Sequence, residues 1–296
     1  MIVVPGPSSL GLGWKVASEL GVEPHPVEHR IFADGESYIR LMYPVQGENV
    51  AIIQTTSPHP NSRLMQLLLI ANTAKDFGAQ KIVAVVPYLA YARQDKRFLE
   101  MEALSLDVVI HLLEASGVTD LVVVNIHNEA SVRDIEVKHG VKIHNLSAVQ
   151  LLAGYLKENG FDGAYSLSPD KGAIHIVETA SKVMAGGYNY FNKIRDRKSG
   201  DIKMEVKDLN IVGHRAVVFD DIISSGGTMA KAVEALKAQG ADKVAAACTH
   251  VLYMPGAEEK IRQAGADPIV STDTIETPFS KVTVAGIIAG KLKEIV

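Results

Sequence analysis

Short β-branched apolar runs alternate along the chain with stretches in which apolar residues recur every three or four positions. The runs predict strands over 50–54, 81–86, 121–125, 164–168, 215–219 and 243–249, and Met1-Ile2-Val3-Val4-Pro5 reads as one more. The amphipathic stretches predict helices over 62–77, 104–115, 148–158, 173–184 and 229–239. Strands separated by helices of this length imply βαβ units and an α/β protein built on mainly parallel sheets.

The alternation also repeats on a larger scale. Asn49-Val50-Ala51-Ile52-Ile53-Gln54 is followed by a loop, a helix and then Phe77-Gly78-Ala79-Gln80-Lys81-Ile82-Val83. His214-Arg215-Ala216-Val217-Val218-Phe219-Asp220 is followed in the same way by Gln239-Gly240-Ala241-Asp242-Lys243-Val244-Ala245, and the second strand of each copy leads to a tyrosine, Tyr91 or Tyr253. Chance similarity between βαβ units is the competing reading, but order and spacing together favour two similarly built domains. With 296 residues the chain accommodates them as 1–149 and 150–296, a late helix being free to pack back on the first.

Composition narrows the class of function. Hydrophobic residues make up 47% and charged residues 22%, as in ordinary globular enzymes, and the net charge of -4 argues against general nucleic-acid binding. Cys248 is the only cysteine, so no intramolecular disulfide forms, and its place in Val244-Ala245-Ala246-Ala247-Cys248 marks a core residue in preference to a nucleophile. No apolar run reaches the ~18 residues of a membrane span, and the first residues lack the basic start of a signal peptide. These features predict a cytoplasmic protein without membrane association.

The densest chemistry lies in Val217-Val218-Phe219-Asp220-Asp221-Ile222-Ile223-Ser224-Ser225-Gly226-Gly227-Thr228-Met229. An apolar strand ends in two carboxylates, then small residues, then a helix. Gly226 and Gly227 permit close backbone approach, Ser224, Ser225 and Thr228 add hydroxyls, and the N-terminus of the next helix attracts anions, phosphate above all. Asp220 and Asp221 repel phosphate, so they suit sugar hydroxyls or a metal-bound group. A sugar phosphate satisfies both ends; a plain capped turn is the alternative. The corresponding loop of the first half, 55–62, has no such motif, so one sugar-phosphate site is expected per chain.

Four further segments carry polar chemistry. Phe32-Ala33-Asp34-Gly35-Glu36 sets an aromatic ring and two acids about a glycine turn, fit to stack on a purine or simply to face solvent. Arg93-Gln94-Asp95-Lys96-Arg97 is a cationic cluster following a strand, suited to phosphate. His127 and Asp170 each stand just beyond an apolar strand, where a metal ligand or an ordinary polar residue would fit, although magnesium generally prefers oxygen. Lys193 and Arg195 lie in the basic stretch 190–200, either a plain exposed loop or a lid bringing cations to a transferring phosphoryl group. A G-x-x-x-x-G-K-[ST] phosphate loop is absent, and Gly11-Leu12-Gly13 lacks the third glycine of a dinucleotide fingerprint.

The 217–229 loop resembles the ribose-phosphate signature shared by phosphoribosyltransferases and phosphoribosyl pyrophosphate synthetases: an apolar strand, D-D, two variable residues, two small residues, G, any residue, T. With the other four segments in the same order, the whole chain resembles the ribose-phosphate pyrophosphokinase family, and its archaeal members in particular. The resemblance implies two domains of the type I phosphoribosyltransferase fold and transfer of the β,γ-diphosphoryl group of ATP to O1 of ribose 5-phosphate, with release of AMP. It assigns Phe32, Asp34 and Glu36 to the adenine of ATP, reaching over from a neighbouring subunit, and Gly35, Arg93, Gln94 and Asp95 to ATP binding as well. It assigns His127 and Asp170 to Mg2+, Lys193 and Arg195 to catalysis, and Asp220, Asp221, Ser224, Ser225, Gly226, Gly227 and Thr228 to ribose 5-phosphate. A homo-oligomer, at least a dimer, follows from a site completed across subunits. Ser224 stands where many bacterial and mammalian members carry aspartate, and Ile194 where a basic residue is common. A phosphoribosyltransferase that consumes the activated sugar and a non-catalytic phosphosugar sensor are the rival readings.

Overall fold

Helices and strands alternate through both halves of the computed structural model, which describes residues 1–195, 202–205 and 211–296. The chain forms two units, residues 1–146 with 283–296 and residues 147–282. The division falls between Leu146 and Ser147, where the sequence pattern places it at 149/150.

The first unit runs β1 (Ile2–Pro5), α1 (Leu10–Leu20), the antiparallel hairpin β2 (Glu28–Ile31) and β3 (Ser37–Arg40), then β4 (Asn49–Ile53), α2 (Pro60–Asp76), β5 (Lys81–Val85), α3 (Ser105–Ala115), β6 (Asp120–Val124), α4 (Glu129–His139) and β7 (Lys142–Leu146). Its five-stranded sheet has the order β1-β4-β5-β6-β7, every neighbour parallel. Strands β1, β4, β5 and β6 are buried almost throughout, as a parallel sheet covered on both faces requires, while the edge strand β7 is only partly covered. Val50 and Ile52 face a core with Leu67 and Ile70 of α2 and Ile110 and Leu113 of α3.

The second unit contains α5 (Val149–Leu156), β8 (Tyr165–Ser168), α6 (Ile174–Met184), β9 (Tyr188–Tyr190), β10 (Asn192–Arg195), β11 (Ile202–Glu205), β12 (Ala216–Ile223), α7 (Gly227–Ala238), β13 (Val244–Val251), α8 (Ala257–Gln263), β14 (Ala266–Thr272) and β15 (Ser280–Val282). Its six-stranded parallel sheet has the order β15-β14-β13-β12-β8-β9. Successive residues of β12 serve opposite cores, as the two-residue period of a strand demands. Ala216 and Val218 pack with Met229 and Val233 of α7, while Val217 and Phe219 pack with Leu152 of α5 and Val177 of α6. The last helix, α9 (Ala285–Ile295), belongs to the first unit, where it lies against α1.

A buried charge secures the first unit. Asp120 at the start of β6 accepts from His144 (2.9 Å) and Thr119 (2.9 Å) and pairs with Lys81 (3.1 Å), while Lys81 also donates to the Ile295 carbonyl of α9 at 2.6 Å. Burial alone would raise the Asp120 carboxyl, but the hydrogen bonds from His144, Lys81 and Thr119 outweigh it and hold the group below the usual carboxylate range. Such a group contributes stability above its unfolded pKa, and that stability is lost as pH falls through the depressed folded value. Asp120→Ala removes the buried acceptor shared by Lys81, His144 and Thr119 and is expected to cost about 3 kcal/mol in denaturant unfolding at neutral pH, a difference that shrinks on acidification.

Two sequence expectations change. Strand β12 does not end at Phe219; it pairs with β13 through Asp220↔Cys248, Ile222↔His250 and Ile223↔Val251, so both aspartates are strand residues. The basic stretch 190–200, read as a loop or lid, begins with β10, which pairs antiparallel with β11 through Lys193↔Met204 and Arg195↔Ile202. The side chains of Lys193 and Arg195 lie outside the described residues. No helix among the described residues is long and apolar enough to cross a membrane.

Candidate active site

The strand order of the second unit contains a reversal. From β8 the chain adds β9 on one side, then returns to place β12 on the other side and builds outward through β15. Ligands of open α/β sheets bind beyond the carboxyl ends of the strands at such a switch point. The two segments that emerge there are Ser168-Pro169-Asp170 after β8 and 220–228 along β12 into α7. The first unit adds its strands in one direction from β1 to β7 and has no reversal among its described strands. The reversal thus lies in the half that carries the 220–228 motif.

Gly226 caps α7 with φ 76° and ψ -7°, in the left-handed region. A β-carbon there would approach the Ala257 carbonyl oxygen at 2.8 Å, so the position combines an adverse dihedral with backbone on its open side. The cap has no side-chain oxygen, and no acid stands in the first turn of α7, which leaves this helix end receptive to an anion. Ser225 and Thr228 are exposed beside it. Ser224 donates to the thioether of Met254, at 3.1 Å. Gly226→Ala is expected to cost about 1–3 kcal/mol and to raise KM for a sugar phosphate; unchanged values in unfolding and initial-rate measurements would contradict this account.

Upstream of this cap, negative charge accumulates. Burial, the adjacent Asp221 carboxylate and a smaller contribution from Asp170 push the Asp220 carboxyl well above its ordinary range. Asp170 caps the short turn Lys171–Ala173 by accepting from the Gly172 amide at 3.0 Å. The Asp220 carboxyl, which feels the charges of Asp221 and Asp170, is a hard oxygen donor of the kind a hard divalent cation takes. Cys248, opposite Asp220 in β13, is fully buried, and burial together with the charges of Asp220 and Asp221 pushes its thiol up. It is a core residue and no nucleophile.

In the first unit, Phe32, Asp34, Gly35 and Glu36 form the turn joining β2 to β3. The Phe32 amide donates to the Glu36 carbonyl (2.8 Å), the Gly35 amide to the Phe32 carbonyl (2.9 Å) and the Glu36 amide to the Asp34 carboxylate (3.1 Å), with Gly35 at φ 95°. Phe32 remains 50% exposed, touching Tyr38 edge-on at 6.3 Å, so its ring is available for stacking.

Arg93, Gln94 and Asp95 follow β5 in a loop that Tyr91 enters at φ 69°. Arg93 is exposed. Gln94 donates to the Lys96 carbonyl (3.2 Å) and Glu102 (3.4 Å). Asp95 accepts from Asn128 (2.6 Å) and Ser131 (2.7 Å). Burial raises this carboxyl, yet the Ser131 and Asn128 hydrogen bonds prevail and hold it below the usual range. Asp95 therefore ties its loop to the segment carrying exposed His127. Asn128 and Ser131 give no motif signal in the sequence; only the fold brings them to Asp95. His127 stands in the first unit and Asp170 in the second.

The loop 55–62, the counterpart of the phosphate-type loop, uses its hydroxyls internally. Thr56 donates to the Tyr88 carbonyl (2.8 Å) and accepts from the Ala90 amide (2.7 Å), and Thr55 and Thr56 are buried. The repeat nonetheless persists in the backbone, since Tyr91 and Tyr253, at φ 69° and 49°, are both non-glycine residues in the left-handed region.

Comparisons with known proteins agree with this layout. Residues 1–117 match the family model for the N-terminal domain of ribose phosphate pyrophosphokinase, and residues 167–282 that for the phosphoribosyl transferase domain. A ribose-phosphate pyrophosphokinase of Saccharolobus solfataricus is 37% identical over 278 residues, 93% of each chain. One of Methanosarcina acetivorans is 36% identical over 297 residues, covering all of both chains. Among solved structures, phosphoribosylpyrophosphate synthetase from Mycobacterium smegmatis superposes with a TM-score of 0.87 at 27% identity over 99% of this chain and 98% of that one. With both domain models matched in order and relatives above one-third identity along the full length, the chain belongs to the ribose-phosphate pyrophosphokinase family.

Proposed function

We propose that ribose 5-phosphate is held by Asp220, Asp221, Ser224, Ser225, Gly226, Gly227 and Thr228, and ATP by Phe32, Asp34, Gly35, Glu36, Arg93, Gln94 and Asp95, with Lys193 and Arg195 as catalytic residues. The reaction of the family is metal-dependent and uses ATP and ribose 5-phosphate as substrates. The observation that carries the assignment is the union, at one strand end, of an uncapped helix N-terminus with a carboxylate pair. The former suits the 5-phosphate, the latter the ring hydroxyls.

The chemistry is an in-line displacement in which ribose O1 attacks the β-phosphorus of ATP and AMP leaves. Asp220 and Asp221 accept hydrogen bonds from the sugar hydroxyls and orient O1. The amides of the first turn of α7, with Ser225 and Thr228, fix the 5-phosphate and so set the position of the ring. Lys193 and Arg195 neutralise charge growing on the transferred group. No covalent enzyme intermediate is required. Mg2+ is the divalent ion we assign, with His127 and Asp170 as its protein ligands, and when bound it offsets the charge of the ATP phosphates. Asp95 also fixes the Arg93 loop against Asn128 and Ser131.

The exposed ring of Phe32 at the tip of a hairpin supports the reading that this turn serves a neighbouring subunit, in at least a dimer. The composition supports a cytoplasmic setting. Incubation with ATP, Mg2+ and ribose 5-phosphate is expected to release AMP in step with phosphoribosyl pyrophosphate. ADP as the chromatographic product would mean simple phosphorylation, and no turnover would favour a sensor.

A further inference from the structure

The faces of α3 and α4 bring together side chains that belong to none of the segments above. His111 and Glu114 stand one turn apart on α3, and His139 ends α4. Nδ1 of His139 lies 3.4 Å and Nδ1 of His111 3.8 Å from the same carboxylate oxygen, Oε2 of Glu114. One ligand atom from each residue lies within 4.8 Å of the other two. His139 is 7% exposed, whereas His111 and Glu114 open to solvent at 66% and 44%.

The decisive detail is on the far side of the buried imidazole. Nε2 of His139 is 2.8 Å from Asp107 Oδ1, and Asp107 also receives Lys138 at 2.7 Å. Both Asp107 oxygens accept from the Lys138 ammonium at 2.7 Å, which marks this side chain as an ionised, acceptor-only carboxylate. The Nε2 atom must therefore carry the proton. In neutral His139 this leaves a lone pair on Nδ1 aimed at a carboxylate oxygen, an acceptor facing an acceptor. A positive ion between them resolves the conflict, and Nδ1 of His111 is placed to bind the same ion. Asp107 then stands where metal-binding histidines find the carboxylate that fixes their tautomer.

We propose that His111, Glu114 and His139 form a second cation site, selective for a borderline divalent transition metal such as Zn2+, which clamps α3 to α4. Two imidazole nitrogens and one carboxylate oxygen match the donors of zinc and are poor ligands for magnesium. With bonds of about 2.0–2.2 Å, tetrahedral ligands stand about 3.4 Å apart. The His139–Glu114 separation already has that value, and only the two exposed side chains need adjust. A water completes the coordination. The site lies wholly within the first unit and is separate from the residues assigned to ATP and ribose 5-phosphate.

The test uses the full-length enzyme, stripped of metal, held at about pH 8 where imidazoles are neutral and supplied with excess Mg2+ to occupy oxygen sites. Titration with Co2+, followed by visible absorption, is expected to show one equivalent bound with nitrogen ligation, and Zn2+ is expected to displace it. His111→Ala, a change at an exposed position, is expected to weaken binding at least ~10-fold and to leave the Mg2+-supported activity unchanged. Asp107→Asn, which leaves every ligand in place, is expected to weaken it by about 10- to 100-fold. His127→Ala is expected to retain the bound equivalent. Absence of Co2+ binding in the parent enzyme would overturn the proposal, leaving His139 to hold only a proton. Equal affinity in His111→Ala, or loss of the equivalent in His127→Ala, would overturn it as well by locating the ion elsewhere.

Discussion

Replacing Lys193 by alanine is expected to lower kcat by about 10²–10⁴-fold, with little change in KM for ribose 5-phosphate. A phosphoryl group in flight leaves the protein little covalent chemistry to perform, and acceleration comes from position and charge. A cation that meets the transferred group only as charge develops stabilises the transition state and not the ground state. Its removal therefore lowers kcat and kcat/KM together. The anchors assigned to the sugar phosphate lie along β12 and the first turn of α7, whereas Lys193 is on β10. The β10–β11 ladder is made by main-chain groups, so truncating the side chain leaves the ribbon paired. Initial rates of AMP release across a range of ribose 5-phosphate concentrations decide the matter. A kcat within a few-fold of the parent value would remove Lys193 from catalysis, and a rise in KM alone would make it a binding residue.

How far the sequence carries depends on whether a property is local. The βαβ alternation is local, and helices α2, α3, α6 and α7 fall within a residue or two of their hydrophobic periodicity. The limits of β12 are not. Aspartate disfavours strands, so the pattern stops at Phe219, yet β13 is buried along its whole length and offers Cys248, His250 and Val251 as partners. A long apolar neighbour thus carries the ladder through two carboxylates, because strand preference follows context. The β10–β11 ribbon escapes notice for a related reason. A basic run reads as loop, and its partner, Ile202-Lys203-Met204-Glu205, lies beyond the run.

The site shows the same limit. The 220–228 motif is contiguous and can be recognised as it stands, but the switch point at which it lies depends on strand order, which no local pattern encodes. Asp95 sits in an R-Q-D segment that invites a ligand role, while its hydrogen bonds go to Asn128 and Ser131, far along the chain. His111, Glu114 and His139 are similarly invisible until α4 packs on α3.

Asp220→Asn is expected to move stability and activity in opposite directions. Asp220 titrates well above the usual carboxylate range because burial and the Asp221 charge oppose its ionisation. Between the unfolded value and this raised value the folded chain binds more protons than the unfolded one, so stability falls as pH rises through that window. At neutral pH the ligand-free enzyme carries this penalty, and asparagine removes it without changing the volume of the side chain. The variant is expected to gain about 1 kcal/mol in unfolding free energy at neutral pH, and the gain should vanish near pH ~4, where an unfolded aspartate is itself protonated. Activity should fall, because under the proposed assignment a carboxylate that accepts from sugar hydroxyls gives way to a neutral amide. A hydrogen bond to a charged group contributes about 1.5–3 kcal/mol, so kcat/KM for ribose 5-phosphate should drop about 10- to 100-fold. Two instruments suffice: thermal or denaturant unfolding at several pH values, and initial rates. Loss of activity with no gain in stability would mean that Asp221 or Asp170 already relieves the strain by sharing a proton. A gain in stability with normal activity would mean that the carboxylate pair is not in contact with the substrate. The predicted combination requires the pair to be a site held against its own repulsion until ligand and cation arrive.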